Sequence, residues 1–468
     1  MLAIASLSGK SVAVFGLGAS GRSAARALRA GGARAFAGDD GAPQPGSVDL
    51  KAMDWGQFAL LVLAPGVPLT HPRPHWSVER ARAAGIPVVG DIELFMRERE
   101  RLGGTSPFVA VTGTNGKSTT TALIAHILGV AGRRVAMGGN IGVPILDLEG
   151  PSADRVHVVE CSSYQIDLTP SLKPTVGMLL NVTPDHLDRH GTLENYAAVK
   201  ERLVAASEVA LIGVDDAPCR AIAARLKARA TPSDPRAVVA ISAQPSPLAD
   251  LWVEGHRIVS IEGGAKRVWV DLASAAALRG AHNGQNAAFA FAATRALGVA
   301  PATIAAGIAS FPGLAHRMEP LGRIGKVLFV NDSKATNADA AEKALLSFRD
   351  IHWIAGGRAK AGGIEPLRPL FGRVAKAYLI GEAGDEFART LEGASPFERC
   401  GTLEVATLAA ARDAATSAAA EPVVLLAPAC ASFDQFANFE LRGEEFRALV
   451  AGLAAAAAAP TRNDRSIP

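Results

Sequence analysis

Val109-Ala110-Val111-Thr112-Gly113-Thr114-Asn115-Gly116-Lys117-Ser118-Thr119-Thr120 is the stretch around which this chain is organised. The apolar run from Phe108 to Val111 reads as a strand and ends in a Gly/Thr/Asn turn. A helical pattern follows, with Leu123, Ile124, Ile127 and Leu128 on one face. Strand, glycine-bearing loop and helix N-terminus in that order gather backbone N–H groups and the positive end of a helix dipole at one spot, which suits phosphate. Lys117 can reach outer phosphates, and the hydroxyl of Ser118 or Thr119 can bind Mg²⁺. One position departs from G-x-x-x-x-G-K-[ST], because Val111 stands where the first glycine belongs. A tight turn before a core helix is the plainer alternative. The Lys-Ser pair at the strand-to-helix transition favours the phosphate loop.

The 468 residues suggest about three domains. Forty-eight Lys+Arg against 45 Asp+Glu leave a net charge of +3, which is no electrostatic footprint for nucleic acid. Trp55–Pro72 and Ala296–His316 are long and uncharged, but Pro and Gly interrupt both, so no membrane span is expected. No secretory signal pattern is read at the N-terminus. Cys161, Cys219, Cys400 and Cys430 are scattered without metal spacing. The expectation is a cytoplasmic protein with reduced thiols. Residues 454–468 have a low-complexity composition.

Ahead of the central loop, Ser11–Phe15 runs into Gly16-Leu17-Gly18-Ala19-Ser20-Gly21, and a second strand, Ala33–Ala37, ends near Asp39 and Asp40. This matches a dinucleotide fingerprint and opens an NAD(P)-binding oxidoreductase reading. A diphosphate on any nucleotide would suit the same turn. Phe58–Leu63 ends in Ala64-Pro65-Gly66, and Ile86–Val89 ends in Gly90-Asp91. Leu102–Pro107 marks the first boundary. After the phosphate loop, Asn140 follows a glycine pair, and Val156–Val159 ends in Glu160, where a Mg²⁺ ligand belongs. Val176–Leu180 leads into Asn181-Val182-Thr183-Pro184-Asp185-His186-Leu187-Asp188-Arg189-His190. On residue type alone Lys200, on the next helix, reads as a surface lysine. Strands and helices alternate weakly from Val209 to Arg279, with no chemistry. Asn283 and Asn286 fall on one helical face, or serve as an N-cap and its neighbour. Phe311–Leu314 marks the second boundary. The last third alternates strand and helix again, with strand ends rich in Ser, Lys, Asp and Gly. The expected fold class is α/β in three domains: a Rossmann-like domain at 1–103, a central P-loop-type mononucleotide-binding domain at 104–313, and a Rossmann-like domain at 314–468.

Gly113–Thr120, together with Asn181–Asp188 and Gly280-Ala281-His282-Asn283, resembles the Mur ligases and folylpolyglutamate synthases. Asn331-Asp332-Ser333-Lys334-Ala335-Thr336-Asn337 and Ala429-Cys430-Ala431-Ser432-Phe433-Asp434-Gln435-Phe436 resemble the D-glutamate-adding branch of the Mur ligases. The resemblance implies ATP-dependent amide formation in peptidoglycan synthesis, through an acyl phosphate on the alanyl carboxylate of UDP-N-acetylmuramoyl-L-alanine. It implies that Gly113, Thr114, Asn115, Gly116, Lys117, Ser118 and Thr119 cradle ATP, with Asn283, Asn286, Arg317 and Asp332 around the nucleotide. Ser118 and Glu160 would hold one Mg²⁺, and His186 and Lys200 a second. Gly16, Gly18, Ala19, Ser20, Asp39, Asp40, Gly66, Asn140 and Gln165 would face the UDP substrate. Lys334, Thr336, Lys360, Ser432 and Phe439 would serve the amino acid. An ammonium is a poor neighbour for Mg²⁺, a conflict that disappears if CO₂ carbamylates Lys200. Two departures stand out: Ala64 replaces the usual Ser before Pro65-Gly66, and the acid usual near Gly363 is missing. A monomer is expected, with small-molecule substrates only. The rivals are a ligase adding L-glutamate or another amino acid, the oxidoreductase, and a non-catalytic nucleotide-binding module.

Overall fold

The computed structural model describes residues 1–41, 45–229, 237–359 and 362–458. The chain forms two compact units, one of Met1–Ser274 with Ala281–Phe311, the other of Ala275–Gly280 with Pro312–Pro468.

The first unit holds two sheets. Strands β1 (Ser11–Phe15), β2 (Arg34–Gly38), β3 (Leu61–Leu63) and β4 (Val88–Val89) form a parallel sheet in the order β2-β1-β3-β4. Two of these are shorter than their apolar runs. Asp54 caps a 3-10 turn at Trp55–Gln57, and Phe58 N–H closes it onto Trp55. Ile86 N–H bonds back to Ala81 and so ends the preceding helix rather than starting a strand. The glycines of the first loop do different work. Gly16 adopts φ +93°, and a Cβ on Gly21 would fall onto the Gly16 carbonyl oxygen. A Cβ on Gly18 would meet nothing within 4 Å. Helix packing therefore requires Gly21, whereas the protein's own packing leaves Gly18 free for a ligand's approach.

The second sheet has nine strands: β5 (Phe108–Thr112), β6 (Arg134–Gly139), β7 (Arg155–Glu160), β8 (Val176–Leu179), β9 (Val209–Gly213), β10 (Ala237–Ser242), β11 (Leu251–Glu254), β12 (Arg257–Glu262) and β13 (Ala265–Asp271). Their order is β13-β12-β11-β10-β9-β8-β5-β7-β6, parallel up to β11 and antiparallel for the last two. The stretch from Val209 is thus more regular than its weak alternation suggested, because β11–β13 form a meander on the edge of the parallel sheet. β5 is buried along its whole length and is flanked by β7 and β8. Side chains ending these three strands therefore meet beside the phosphate loop. The helix Lys117–Val130 packs on the helices Ala281–Ala296 and Pro301–Ala309, and Gly307 allows the close approach to Ile127.

The second unit holds β14 (Glu319–Ile324), β15 (Val327–Asn331), β16 (Ile351–Gly356), β17 (Val374–Ile380), β18 (Phe397–Gly401) and β19 (Val423–Leu426), ordered β14-β15-β19-β16-β17-β18. Only β14 runs antiparallel. β19 lies between β15 and β16, so the loops after these three strands share one edge. Among the described residues no helix is long and apolar enough to cross a membrane.

The glycine geometry separates packing from binding. Gly21→Ala is expected to destabilise the fold by about 1–3 kcal/mol, through overpacking against backbone. Gly18→Ala should stay within about 0.5 kcal/mol of the parent. Urea unfolding of both variants checks this, and equal losses would contradict it.

Candidate active site at the strand ends

The end of β5 carries Thr112 and Gly113, and the helix behind the loop begins at Lys117. Gly116 has φ +83°, and a Cβ there would collide with Asn286 Oδ1. Asn181 Oδ1, at the end of β8, accepts from Thr114 N (3.1 Å) and Asn115 N (2.8 Å), which fixes the loop's shape. Lys117 Nζ donates to the carbonyls of Gly113 (3.0 Å) and Thr114 (2.8 Å). Ser118 Oγ donates to Glu160 Oε2 at 2.6 Å, and Asn140 Nδ2 donates to Glu160 Oε1 at 2.8 Å. Glu160 is buried at the end of β7. Asn283 and Asn286 both lie inside the helix Ala281–Ala296, not at its cap. Asn286 Nδ2 donates to Asn283 Oδ1 (3.1 Å), and Asn286 Oδ1 accepts from Thr120 Oγ1 (3.2 Å), so the pair stands directly behind the phosphate loop.

Lys200 is not a surface lysine. It is 1% exposed, and its Nζ donates to Thr112 Oγ1 (3.1 Å) and Gly113 O (2.9 Å), 4.6 Å from the Tyr196 ring centroid. Its burial, then the neighbouring charge of Lys117, push its pKa down to about 7. The surface reading failed because the helix Leu193–Ala205 turns this face, with Tyr196, Leu203 and Val204, into the core.

The loop after β8 divides its residues. His186 adopts φ +53°, is 48% exposed, and has its Nε2 3.5 Å from Asp185 Oδ2. His190 is buried, 2.9 Å from Ser163 Oγ, and stacks on Tyr164. Arg189 donates to the carbonyls of Gly66 (2.9 Å) and Val67 (3.0 Å) and lies over Tyr164, tying the loop after β3 to the loop after β8. Among the described residues no group of three His, Cys, Asp or Glu could hold a metal by itself. The Ser118 hydroxyl beside the Glu160 carboxylate fits Mg²⁺, which takes one or two carboxylates and completes its shell with phosphate and water.

At the first loop, Ala19 and Ser20 open the helix Ala19–Ala30, and Asp39 Oδ2 accepts from Leu17 N at 2.5 Å. That amide bond holds Asp39 below the ordinary carboxylate range. Asp40 is occupied by His75 (2.7 Å) and Trp76 (3.0 Å). Gln165 forms a capping box with Ser162 and reaches Asp91, itself buried and hydrogen-bonded by the Ser20 side chain.

The second unit has its own cluster. Burial raises Asp332 to about 7, against the opposing effects of the Met318 N–H and the Arg317 charge. Lys334 Nζ sits 3.8 Å from the Phe439 ring centroid, and Thr336 N–H bonds Lys334 O (2.7 Å). Ser432 is buried after β19 and accepts the N–H groups of Gln435 and Phe436 on its carbonyl. Lys360 lies outside the described residues.

Residues 111–294 match the Mur ligase middle domain, and residues 316–430 match the Mur ligase glutamate ligase domain. The chain is 59% identical to the UDP-N-acetylmuramoylalanine–D-glutamate ligase of Nitrobacter hamburgensis, over 97% of this chain and 98% of that protein. It is 57% identical to the enzyme of the same name from Brucella abortus, with the same coverage. This chain belongs to the Mur ligase family. Among solved structures, the UDP-N-acetylmuramate–alanine ligase of Thermotoga maritima shares the fold at 15% identity and a TM-score of 0.57, covering 95% of this chain and 99% of that one. A pseudomurein peptide ligase from Methanothermus fervidus does so at 15% and 0.54, covering 95% and 100%.

Sequence reasoning assigned no role to Asn181, Thr112 or Arg189 in this Mur ligase. Asn181 carried a usable signal: it is a side-chain acceptor at the end of a strand adjacent to the phosphate loop. Thr112 and Arg189 gain meaning only from their spatial partners.

Buried Lys200 makes stability depend on pH. Its folded pKa, about 7, lies below the ordinary 10.5. Between those values the unfolded chain binds a proton that the folded chain does not, so stability rises with pH there. Below pH 7 the burial cost is fully present. Lys200→Met removes this dependence. In CO₂-depleted buffer its stability relative to the parent should be highest below pH 7 and should fall by on the order of 3 kcal/mol as pH rises towards 10. Parallel pH profiles would refute the assignment.

Proposed function

We propose that this Mur ligase joins D-glutamate to UDP-N-acetylmuramoyl-L-alanine, with ATP converted to ADP and phosphate. The names of its near-full-length relatives supply the substrates. The observation that carries the chemistry is the convergence of Lys117, Ser118, Glu160 and Lys200 at the ends of β5 and β7. The alanyl carboxylate attacks the γ-phosphorus and ADP departs. The amine of D-glutamate then attacks the acyl carbon and phosphate departs, leaving an amide. There is little covalent work for side chains, so positioning and charge neutralisation dominate.

Within that reading, Gly113 to Thr119 wrap the triphosphate and Lys117 turns from the loop carbonyls to the transferring phosphoryl group. Ser118 and Glu160 would hold Mg²⁺, which supplies charge neutralisation on phosphate oxygens when bound. His186 and a carbamylated Lys200 would hold a second cation. The low pKa of Lys200 supports carbamylation: a neutral amine adds to CO₂, loses its proton and becomes an oxygen-bearing anion suited to Mg²⁺. Asn283, Asn286, Arg317 and Asp332 serve the nucleotide. The loops after β1, β2 and β3, with Asn140 and Gln165, serve the UDP substrate. Lys334, Thr336, Ser432, Phe439 and Lys360 serve glutamate. The three segments 1–103, 104–313 and 314–468 would then contribute chiefly to the UDP substrate, ATP and glutamate respectively, in a cytoplasmic monomer. The oxidoreductase reading accounts only for Gly16 to Asp40 and leaves Lys117 and Lys200 without work.

ADP release with UDP-N-acetylmuramoyl-L-alanine and each glutamate enantiomer tests this directly. D-glutamate is expected to support turnover roughly 100-fold or more above L-glutamate. Comparable rates would move the chain to another member of the scaffold. Lys117→Ala should lower kcat by about 10³-fold with the melting temperature preserved. Lys200→Ala should lose most activity, and millimolar formate or acetate should restore part of it by filling the vacated ligand position. Lys200→Arg should be no better than Lys200→Ala, since a guanidinium has no acceptor. A fully active arginine variant would sink the carbamate.

A further inference from the structure

Arg442 lies on the helix Phe439–Ala458 and is 1% exposed. Its Nε donates to Ser333 Oγ at 3.0 Å, and its Nη2 donates to the carbonyls of Ser333 (2.9 Å) and Cys430 (3.1 Å). Its Nη1 is buried and has no hydrogen-bond partner among the described residues. Nη1 faces Gly357, where an added Cβ would stand 3.2 Å away. The guanidinium thus touches the loops after β15, β19 and β16 together. Ser333 Oγ passes the connection on to the Phe439 carbonyl at 2.8 Å. Arg358 and Ala431 exchange backbone hydrogen bonds of 2.9 and 3.1 Å, which locks the β16 and β19 loops to each other.

We propose that Arg442 is the positioning residue of the amino-acid pocket, setting the β15 and β19 loops from which Lys334 and Ser432 project and lending that edge a buried positive charge that favours a dicarboxylate. This rests on the reading that Lys334 and Ser432 hold glutamate. Among the described residues every direct partner of the guanidinium is a hydroxyl or a carbonyl, and no carboxylate contacts it. The acid that acts on it through space, Asp434, is itself engaged by the Glu382 N–H at 3.1 Å. Burial lowers Arg442 only to about 10, so it is charged at neutral pH. A buried cation among neutral acceptors costs stability. A ligand with two carboxylates is the anion that would offset this. A lysine cannot replace the fork, because one ammonium cannot reach Ser333 Oγ, Ser333 O and Cys430 O in the same plane.

The test compares KM for D-glutamate, ATP and UDP-N-acetylmuramoyl-L-alanine in the full-length enzyme carrying Arg442→Met, Arg442→Lys, Ser333→Ala or Lys334→Ala, with melting curves to confirm folding. Arg442→Met should raise the glutamate KM by about 30-fold or more. Arg442→Lys keeps charge but not the fork and should raise it by about 5–10-fold. Ser333→Ala, which breaks the link from Arg442 to Phe439, should raise it by about 3–5-fold. The KM for the UDP substrate should stay within about twofold, and that for ATP, whose Asp332 shares the β15 loop, should rise less than that for glutamate, a split that a merely structural role would not produce. Should Arg442→Met fail to fold, Arg442→Lys and Ser333→Ala decide. Parallel rises in all three KM values, or an unchanged glutamate KM in the folded Arg442 and Ser333 variants while Lys334→Ala raises it, would overturn the role of Arg442 alone. An unchanged glutamate KM in Lys334→Ala would overturn the pocket assignment itself.

Discussion

Two ammonium groups share the carbonyl oxygen of Gly113, Lys200 at 2.9 Å and Lys117 at 3.0 Å. Much of the first unit is arranged to permit this. One lysine comes from the helix that follows the phosphate loop, the other from a helix some eighty residues on, and both reach the same backbone atom because β5 is the innermost strand of its neighbourhood. Their mutual repulsion would be modest in water. With Lys200 buried, it adds to desolvation and leaves the amine half neutral near pH 7. The loop therefore holds one cation and one partly neutral amine on the same carbonyl. The first answers phosphate, and the second answers CO₂.

The carboxylate side of the site follows from the same strand order. Val111 pairs with Glu160 and Gly139 pairs with Glu160, so this acid stands level with the end of β5. Ser118 and Asn140 then take one oxygen each. An acid held by one neutral donor on each oxygen is fixed in place without its charge being cancelled. The loop glycines make room for the rest. Gly116 is closed to any side chain by Asn286, so the phosphate loop and the Asn283/Asn286 pair form one packed object.

This division also explains what was legible in the sequence. The three α/β sheets, the strand–loop–helix at Phe108–Val130 and the acid at the end of β7 announce themselves through local pattern: an apolar run, a turn and a polar residue at the strand end. Strand lengths at Phe58 and Ile86 were misjudged, because 3-10 closure and a helix C-terminus compete for the same residues. Lys200 could not be recognised from residue type, since burial of its face depends on which side of the helix Leu193–Ala205 meets the sheet. Asn181 and Arg189 sat inside a quoted motif, but their partners lie in loops far away in the chain. Arg442 gave no local signal at all. An arginine in an Arg/Glu-rich helix reads as solvated until its three oxygen partners are seen.

Lys200 and Arg442, one in each unit, show the same design. Each is a fully buried basic side chain bonded, among the described residues, to hydroxyl and carbonyl oxygens rather than to a carboxylate, Arg442 as a cation and Lys200 as an amine half neutral near pH 7. A structural role alone would select against that arrangement, because a paired or apolar replacement is cheaper to bury. The reactants of the proposed reaction are all anionic: a triphosphate, a carboxylate and a dicarboxylate. An internal acid beside Arg442 would compete with the dicarboxylate for its charge, and one beside Lys200 would hold the amine protonated and closed to CO₂. Leaving Arg442 unneutralised keeps its charge available to the ligand, leaving Lys200 without an acid keeps its amine available to CO₂, and stability is given up in both cases. The neutral oxygens fix geometry without adding an opposing charge, and they lie at or just beyond the ends of β5, β15 and β19, where the loops that would carry the ligands begin.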